Sequence, residues 1–499
     1  MPLVPLDIPA GVYRNGTEYE AKGRWFDTNL VRWREGRLEP VGGWTKFDSS
    51  ASALSGVARG IHAWRDNDEI RNLAVGTHTH LYVSQAGGFY DISPSDLAAG
   101  REDTLVGQGY GAGAYGDDNW GDARDSGELT LNATSWSLDN WGEYLVACST
   151  ADGRLLEWQN NTGTDAAVIT NAPTDCIGLV VTNERHLIAL GADGDPRKVA
   201  FSDQEDNTTW TPSANNQAGD LLLETAGLIK CARRVGNDIL IWTDVDCHLM
   251  RYLGPPYVYG IERIGNNCGV IGANSVCVAG NSAVWLSESG FWIYDGAIRP
   301  LQCDVLLDVT DGINKSQQSK TFGGHNSQFG EMWFFYPSSG SDENDKYVAY
   351  NYRYAHWMVG EMDRTAWVDQ GTFSTPVAVD PNGVVYDQEF GSTDDGTTRV
   401  GQVYAVSGPV ELGQGDRFAV IDRIIADDYS NLPSLKAVIG TKNTPEGTYS
   451  DTEYELGESD GYIDVRLTAR QLRVKLEATR DDGFKFGTIR MNLKQGSRR

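Results

Sequence analysis

The sequence predicts an all-β chain: a β-propeller of about six or seven blades followed by a small C-terminal antiparallel β-sandwich. Three observations carry this. Among 499 residues there are 57 Gly, 15 Trp and 22 Tyr, a composition suited to short strands joined by tight turns. Long helical periodicity is almost absent; paired apolar runs joined by Gly, Asn or Asp turns recur instead. About seven such clusters fall between residues 56 and 391, a spacing of roughly 48 residues that lies in the range of propeller blades.

The clusters follow one another with recognisable turns. Residues 60–93 hold three or four strands, and residues 135–159 hold strands about Asp152-Gly153. Residues 177–192 turn at Thr182-Asn183, and residues 228–254 at Gly236-Asn237. Residues 275–296 carry Gly280-Asn281 and Ser289-Gly290, and residues 330–360 and 378–391 complete the series. One four-stranded blade cannot cover both of its faces, but blades set around an axis cover one another. Trp64, Trp158, Trp210, Trp242, Trp285, Trp333 and Trp367 fall about once per cluster. Large aromatics at matching places are expected to pack between adjacent blades.

Three segments depart from the pattern. Residues 1–50 form an N-terminal strand segment, in which Trp25, Phe26, Leu30, Val31 and Trp33 are interleaved with Arg24, Arg32, Arg34 and Arg37. It is too short to fold alone and is expected to pack on the propeller or on a neighbouring subunit. The propeller region, 51–399, holds a Gly-, Tyr- and Asp-rich insertion at 101–128, a length usual for functional or disordered loops. Residues 400–499 alternate at period two and predict the sandwich. Within 465–478 the apolar face switches at Gln471–Leu472, which predicts a bulge or turn there.

Charge narrows the function. The formal net charge is −27. Residues 1–50 carry 7 acids and 7 bases, and residues 400–499 carry 15 and 14, so the excess, 47 acids against 21 bases, lies in 51–399. Such a surface repels nucleic acid at long range and excludes a DNA binder that works by neutralising phosphates. It suits a wall along which DNA slides, and equally suits simple solubility. No run of 18 apolar residues predicts a membrane helix, and the N-terminus lacks the basic and apolar regions of a signal peptide, so synthesis in a cytoplasm is expected.

Candidate chemistry is sparse. Seven Cys without a CxxC pair read as buried thiols. His78 and His80 share a strand face by spacing but lack a third metal ligand nearby. The segment 202–210 faintly resembles the Asp-box turn of sialidase-type propellers. Its Ser202 and Asp203 read as turn-forming and Trp210 as an anchor between blades. No GxSxG, Walker A or HExxH motif occurs, and no carboxylate pair stands out as a glycosidase site. Asp117, Asp118, Asp122 and Asp125 lack EF-hand spacing and read as a solvated acidic loop. The chain is expected not to be an enzyme and to need no cofactor or metal.

Several segments together resemble one family. They are residues 16–44, GYGAGAYGDDNWGDAR (109–124), FSDQEDNTTWTP (201–212) with NQAGD (216–220), and ILIWTDVDCHLMRYLGPPYVYG (239–260). VWLSESGFWIYDG (284–296), MWFFYPS (332–338) and FKFGTIRMNLKQGSR (484–498) complete the set. In this order they resemble tail proteins of tailed bacteriophages, of the nozzle or packaged-DNA stabilisation (tail hub) type found in short-tailed phages. The resemblance implies a structural virion protein in the tail, part of the head–tail connector. It would form a homo-oligomeric ring, a hexamer, that retains genomic DNA and conducts it during ejection without binding it specifically. Its partners would be a tail adaptor protein and a tail fibre, needle or other distal tail protein. Asp117, Asp118, Asp122 and Asp125 become candidates for a lumen or gating loop. Trp25, Arg32, Trp33, Arg34 and Arg37 become candidates for subunit or adaptor contacts, since Arg and Trp are favoured at interface hot spots. A receptor- or glycan-binding tail protein is the alternative, and a propeller glycosidase a more distant one.

Overall fold

A computed structural model describes residues 4–49, 52–85, 87–106, 130–411, 417–428, 435–444, 447–456 and 462–495. Among the described residues, seven four-stranded antiparallel sheets form a propeller-like ring. Blade 1 comprises Ala58–Arg65, Arg71–Thr77, Leu81–Gln85 and Gly88–Asp91, and blade 2 comprises Trp136–Trp141, Tyr144–Ser149, Leu155–Trp158 and Ala167–Val168. Blade 3 comprises Gly178–Val181, Leu187–Leu190, Lys198–Phe201 and Gly219–Leu222, and blade 4 comprises Ile229–Val235, Asp238–Thr243, Cys247–Gly254 and Val258–Gly265. Blade 5 comprises Val276–Ala279, Ser282–Ser287, Gly290–Tyr294 and Ile298–Pro300, and blade 6 comprises Phe322–Asn326, Glu331–Pro337, Asn344–Asn351 and His356–Glu361. Blade 7 takes Ala366–Val368, Val377–Val379 and Val385–Gln388 from the end of the ring and its fourth strand, Trp44–Lys46, from the N-terminal segment. Each innermost strand touches the next, and Ala366–Val368 of blade 7 returns to Ala58–Arg65 of blade 1.

Burial falls from the second strand of each blade to the outermost. Leu187–Leu190 and Glu331–Pro337 are buried at every position, whereas Gly88–Asp91 and Gly219–Leu222 are partly exposed. Faces covered on both sides by neighbouring blades demand continuous apolar sequence, and the rim tolerates polar residues.

The expected aromatic bracing is present. Trp64 of blade 1 meets Trp158 of blade 2 edge-on at 6.5 Å, Trp242 of blade 4 meets Trp285 of blade 5 at 5.5 Å, and Trp333 of blade 6 stacks on Trp367 of blade 7 at 6.0 Å. Trp210 joins the apolar cluster shared by blades 2 and 3, its indole N–H donating to the Asn207 carbonyl at 2.7 Å. A second device operates nearer the axis. Trp136 of blade 2 lies against Gly60 and Gly76 of blade 1, where an added Cβ would come within 2.7 and 2.3 Å of it. Its N–H donates to the Thr77 carbonyl at 2.6 Å.

The remaining strands form two six-stranded sheets. In the first, Val31–Arg34, Arg37–Pro40, Phe486–Gln495, Ala419–Asp428 and Ile463–Ala469 lie in that order, with Val4–Leu6 also paired to Phe486–Gln495. In the second the order is Trp25–Asn29, Tyr404–Ser407, Gln471–Ala478, Leu435–Lys442 and Ser450–Leu456, with Val410–Glu411 also paired to Gln471–Ala478. Apolar residues of both sheets, among them Ile424, Val465, Met491, Ile439, Val474 and Leu476, belong to one core cluster with blades 5 to 7. The N-terminal segment, expected on the propeller or a neighbour, thus supplies strands to both sheets and to blade 7 of the same chain. The face switch in 465–478 marks a crossing: Ile463–Ala469 belongs to one sheet and Gln471–Ala478 to the other, with Arg470 between. His78 and His80 lie in the turn between Arg71–Thr77 and Leu81–Gln85, not on a strand face, because Thr77 Oγ1 accepts the backbone N–H groups of Thr79 and His80.

Candidate functional site

Three places gather polar and charged side chains. The first is the seam between the N-terminal strands and blades 6 and 7. Arg32, 1% exposed, donates from Nε and Nη2 to both carboxylate oxygens of Glu331 at 3.0 Å, and from Nη1 to Glu389 at 2.9 Å. Its guanidinium lies 3.6 Å from the Phe329 ring centroid. Burial alone would depress the Arg32 guanidinium, but the two carboxylates hold it above its ordinary value. Glu389 also accepts from Asn326 Nδ2 and the Gly42 N–H, each at 2.9 Å, and Glu331 accepts from the Trp333 indole at 3.0 Å. Beside this network Arg399 donates to the carbonyls of Val41, Gly42 and Ser392.

Of the residues expected to contact other subunits, Trp25, Arg32 and Trp33 are therefore inside this chain, buried against its own sheets and blades. They are not available to a partner. Their Arg/Trp pattern marks an interface, but an internal one. Arg34 and Arg37 remain exposed at the ends of a hairpin turn in which Glu35 and Gly36 both have positive φ, 50° and 78°, the geometry of a tight two-residue connection. Asp117, Asp118, Asp122 and Asp125 lie outside the described residues.

The second place is the foot of the insertion. Arg101–Leu105 runs beside Leu131–Thr134 through backbone hydrogen bonds of 2.9 Å. This foot is tied to the connection between blades 5 and 6. Thr104 N–H donates to Gln317 Oε1 at 2.9 Å, and Thr104 Oγ1 meets Ser319 Oγ at 2.9 Å. The buried Lys320 ammonium donates to Asp103 at 2.6 Å, to Glu343 at 2.8 Å and to the Asp342 carbonyl at 2.7 Å. Arg59 of blade 1 donates to Glu343 at 3.0 Å and to the Glu102 carbonyl at 3.0 Å. The sequence signal for this network is weak, since its two halves, 59–104 and 317–343, lie more than 200 residues apart and share no motif.

The third place is the axis of the ring. A cavity of about 290 Å³ is lined by the innermost strands of all seven blades, from Gly60–His62 round to Trp367. That is room for on the order of ten waters. The cavity is bridged across: Asn274, entering blade 5, donates from Nδ2 to the Arg59 carbonyl of blade 1 at 2.7 Å. Arg234 of blade 4 pairs with Asp139 of blade 2 at 3.2 Å, and Asp139 also accepts the Val181 N–H of blade 3 at 2.9 Å. Burial holds the His62 imidazole below its ordinary value, and its Nε2 lies 3.1 Å from Asn140 Oδ1. The axis of one chain is thus no passage for a duplex.

No family model and no curated protein matches the chain. Solved structures give distant likenesses. A streptogramin B lyase structure has 9% identity and a TM-score of 0.38, covering 69% of this chain and 96% of that one. A catalytically inactive virginiamycin B lyase from Staphylococcus aureus, with quinupristin, has 7% identity and a TM-score of 0.39, covering 68% and 97%. BamB from Moraxella catarrhalis has 11% identity and a TM-score of 0.32, covering 68% and 97%. At these identities and TM-scores the likeness extends to neither activity nor partners. Among the described residues no helix is long and apolar enough to cross a membrane.

Proposed function

We propose that the chain is a structural subunit of a phage tail, a nozzle protein whose ring-shaped assembly retains and then conducts DNA. In this reading the two six-stranded sheets form a β-sandwich fixed to the rim of a seven-bladed propeller, and the conduit runs between subunits.

The observation that carries the reading is the weave of the N-terminal segment. Residues 25–46 join both sheets and close blade 7, and Arg32 locks them to blades 6 and 7 through two buried carboxylates. A scaffold that bears the pressure of packaged DNA needs parts that cannot swing apart, and this seam unites them. The polar residues of the axial cavity support the same reading, since Asp139, Arg234 and Asn274 hold one another and the backbone in place. The net charge of −27 suits a wall past which a polyanion slides under screening.

Imaging the concentrated protein by negative stain tests this. Rings of six subunits are expected. A population that stays monomeric at every concentration, and that also fails to join tail assemblies when adaptor-bearing heads are added, contradicts it.

A further inference from the structure

We propose that the axial cavity is a binding site for a small oxyanion, a carboxylate or phosphate group, held by Arg233. The inference is independent of the tail reading, because it concerns the inside of a single propeller.

Arg233 lines the cavity from the innermost strand of blade 4. Its hydrogen-bond partners among the described residues are neutral: Nη1 donates to the Ala232 carbonyl at 2.9 Å, and Nη2 donates to the Ala273 carbonyl at 3.1 Å and to Asn274 Oδ1 at 2.9 Å. A guanidinium has five N–H donors, so these three bonds leave Nε–H and one Nη1–H for another acceptor. Among the described residues the only carboxylate lining the cavity is Asp139. It is neutralised by Arg234 at 3.2 Å and further occupied by the N–H groups of Val181 and Asn140, each at 2.9 Å. Among the described residues, two arginines against one aspartate leave the lining with an excess of one positive charge, inside a chain whose net charge is −27. His62 adds no compensating negative charge, since imidazole is either neutral or cationic.

A cation in a recess whose lining is otherwise uncharged apart from His62 and the Asp139–Arg234 pair draws a counter-anion more strongly than one on an open surface, because the lower local dielectric strengthens the attraction. The planar fork of arginine matches the oxygens of a carboxylate or phosphate. The volume of about 290 Å³ accepts such a group with a few waters and excludes a nucleic-acid strand. Asn274 is the positioning residue: its amide oxygen orients Arg233 while its amide N–H anchors to Arg59 across the ring. Arg234 also lines the cavity, with a side chain 38% exposed.

The experiment is calorimetric titration of the full chain with inorganic phosphate, and in parallel with acetate, at constant ionic strength. One saturable site is expected. Arg233→Gln should weaken it about tenfold or more, and Arg233→Lys should weaken it less, keeping the charge and losing the fork. Arg71→Gln, at an exposed position of blade 1, should bind as the unaltered chain does. A measurement that needs no variant runs alongside: phenylglyoxal modification of the Arg233–Arg234 peptide, read by mass spectrometry, should slow when phosphate saturates. Phosphate against acetate identifies which oxyanion is preferred. Absence of a saturable site for both anions overturns the proposal, as does undiminished binding by Arg233→Gln or unslowed modification.

Discussion

At Arg32 the chain joins two buried carboxylates from two different blades, and this single side chain decides whether the N-terminal strands stay seated. Removing one member of a buried ionic cluster leaves the others charged and unsolvated, at a cost of about 3–5 kcal/mol. Arg32→Met is therefore expected to lower stability by that amount in denaturant unfolding. Arg34→Met, two residues on and exposed, should change it by less than about 0.5 kcal/mol. Equal effects of the two substitutions would dissociate the seam from the network described. The Arg and Trp residues of this segment were legible in the sequence as interface residues. Which interface they serve was not, because Glu331 and Glu389 lie 299 and 357 positions from Arg32 and no local pattern links them.

His356 offers a second test at the same scale. It is 6% exposed, packs edge-on to Trp33 at 5.7 Å, and among the described residues neither ring nitrogen has a hydrogen-bond partner. Burial pushes its pKa down to about 4 from 6.5. Between those values the unfolded chain carries a proton there that the folded chain does not. Stability therefore rises with pH across the window and falls as pH drops from 6.5 towards 4. The shift corresponds to at most about 3 kcal/mol. Unfolding free energies at pH 7 and pH 4.5 should differ less for His356→Phe than for the unaltered chain. An identical pH dependence would show that the imidazole remains hydrated.

Among the elements, the blades were the most legible. Their second strands, such as LIAL at 187–190 and MWFFY at 332–336, are apolar without alternation because both faces are covered, and turns such as Gly236-Asn237 separate them from their neighbours. The aromatic braces were legible too, one Trp per cluster. Trp285 is fully buried and meets Trp242 between blades 4 and 5. Trp285→Ala is expected to cost about 3–5 kcal/mol, measured by equilibrium unfolding. A loss under 1 kcal/mol would mean that the blades do not depend on that contact. The closing strand was not legible. Trp44–Lys46 spans three residues, too short for a periodic signal, and it pairs with Tyr386–Gln388. Thr45→Pro removes a backbone donor from the strand that completes blade 7, and hydrogen exchange should accelerate at Val385–Gln388 and at Leu38. Unchanged protection there would separate closure of the ring from seating of the N-terminal strands. The crossing at Arg470 shows a different limit. The face switch at Gln471–Leu472 was visible, but a bulge in one sheet and a passage between two sheets leave the same mark on a sequence.

For the whole molecule, charge and shape point in one direction. The acidic excess lies in the propeller region, the axis of the ring is bridged by Asn274 and Arg59, and the axial cavity has room for waters or a small anion but not for a nucleic-acid strand. If DNA passes this protein, it passes along a surface shared by several copies. That follows from the closed axis and not from the acidic composition, which alone permitted a passage through the propeller. The most direct test is a cryo-electron microscopy map of the assembled ring, or of the tail that contains it. The account predicts a bore enclosed by neighbouring subunits, lined mainly by carboxylates, with each propeller axis closed. Density for DNA along a propeller axis, or an assembly without a central bore, would contradict it.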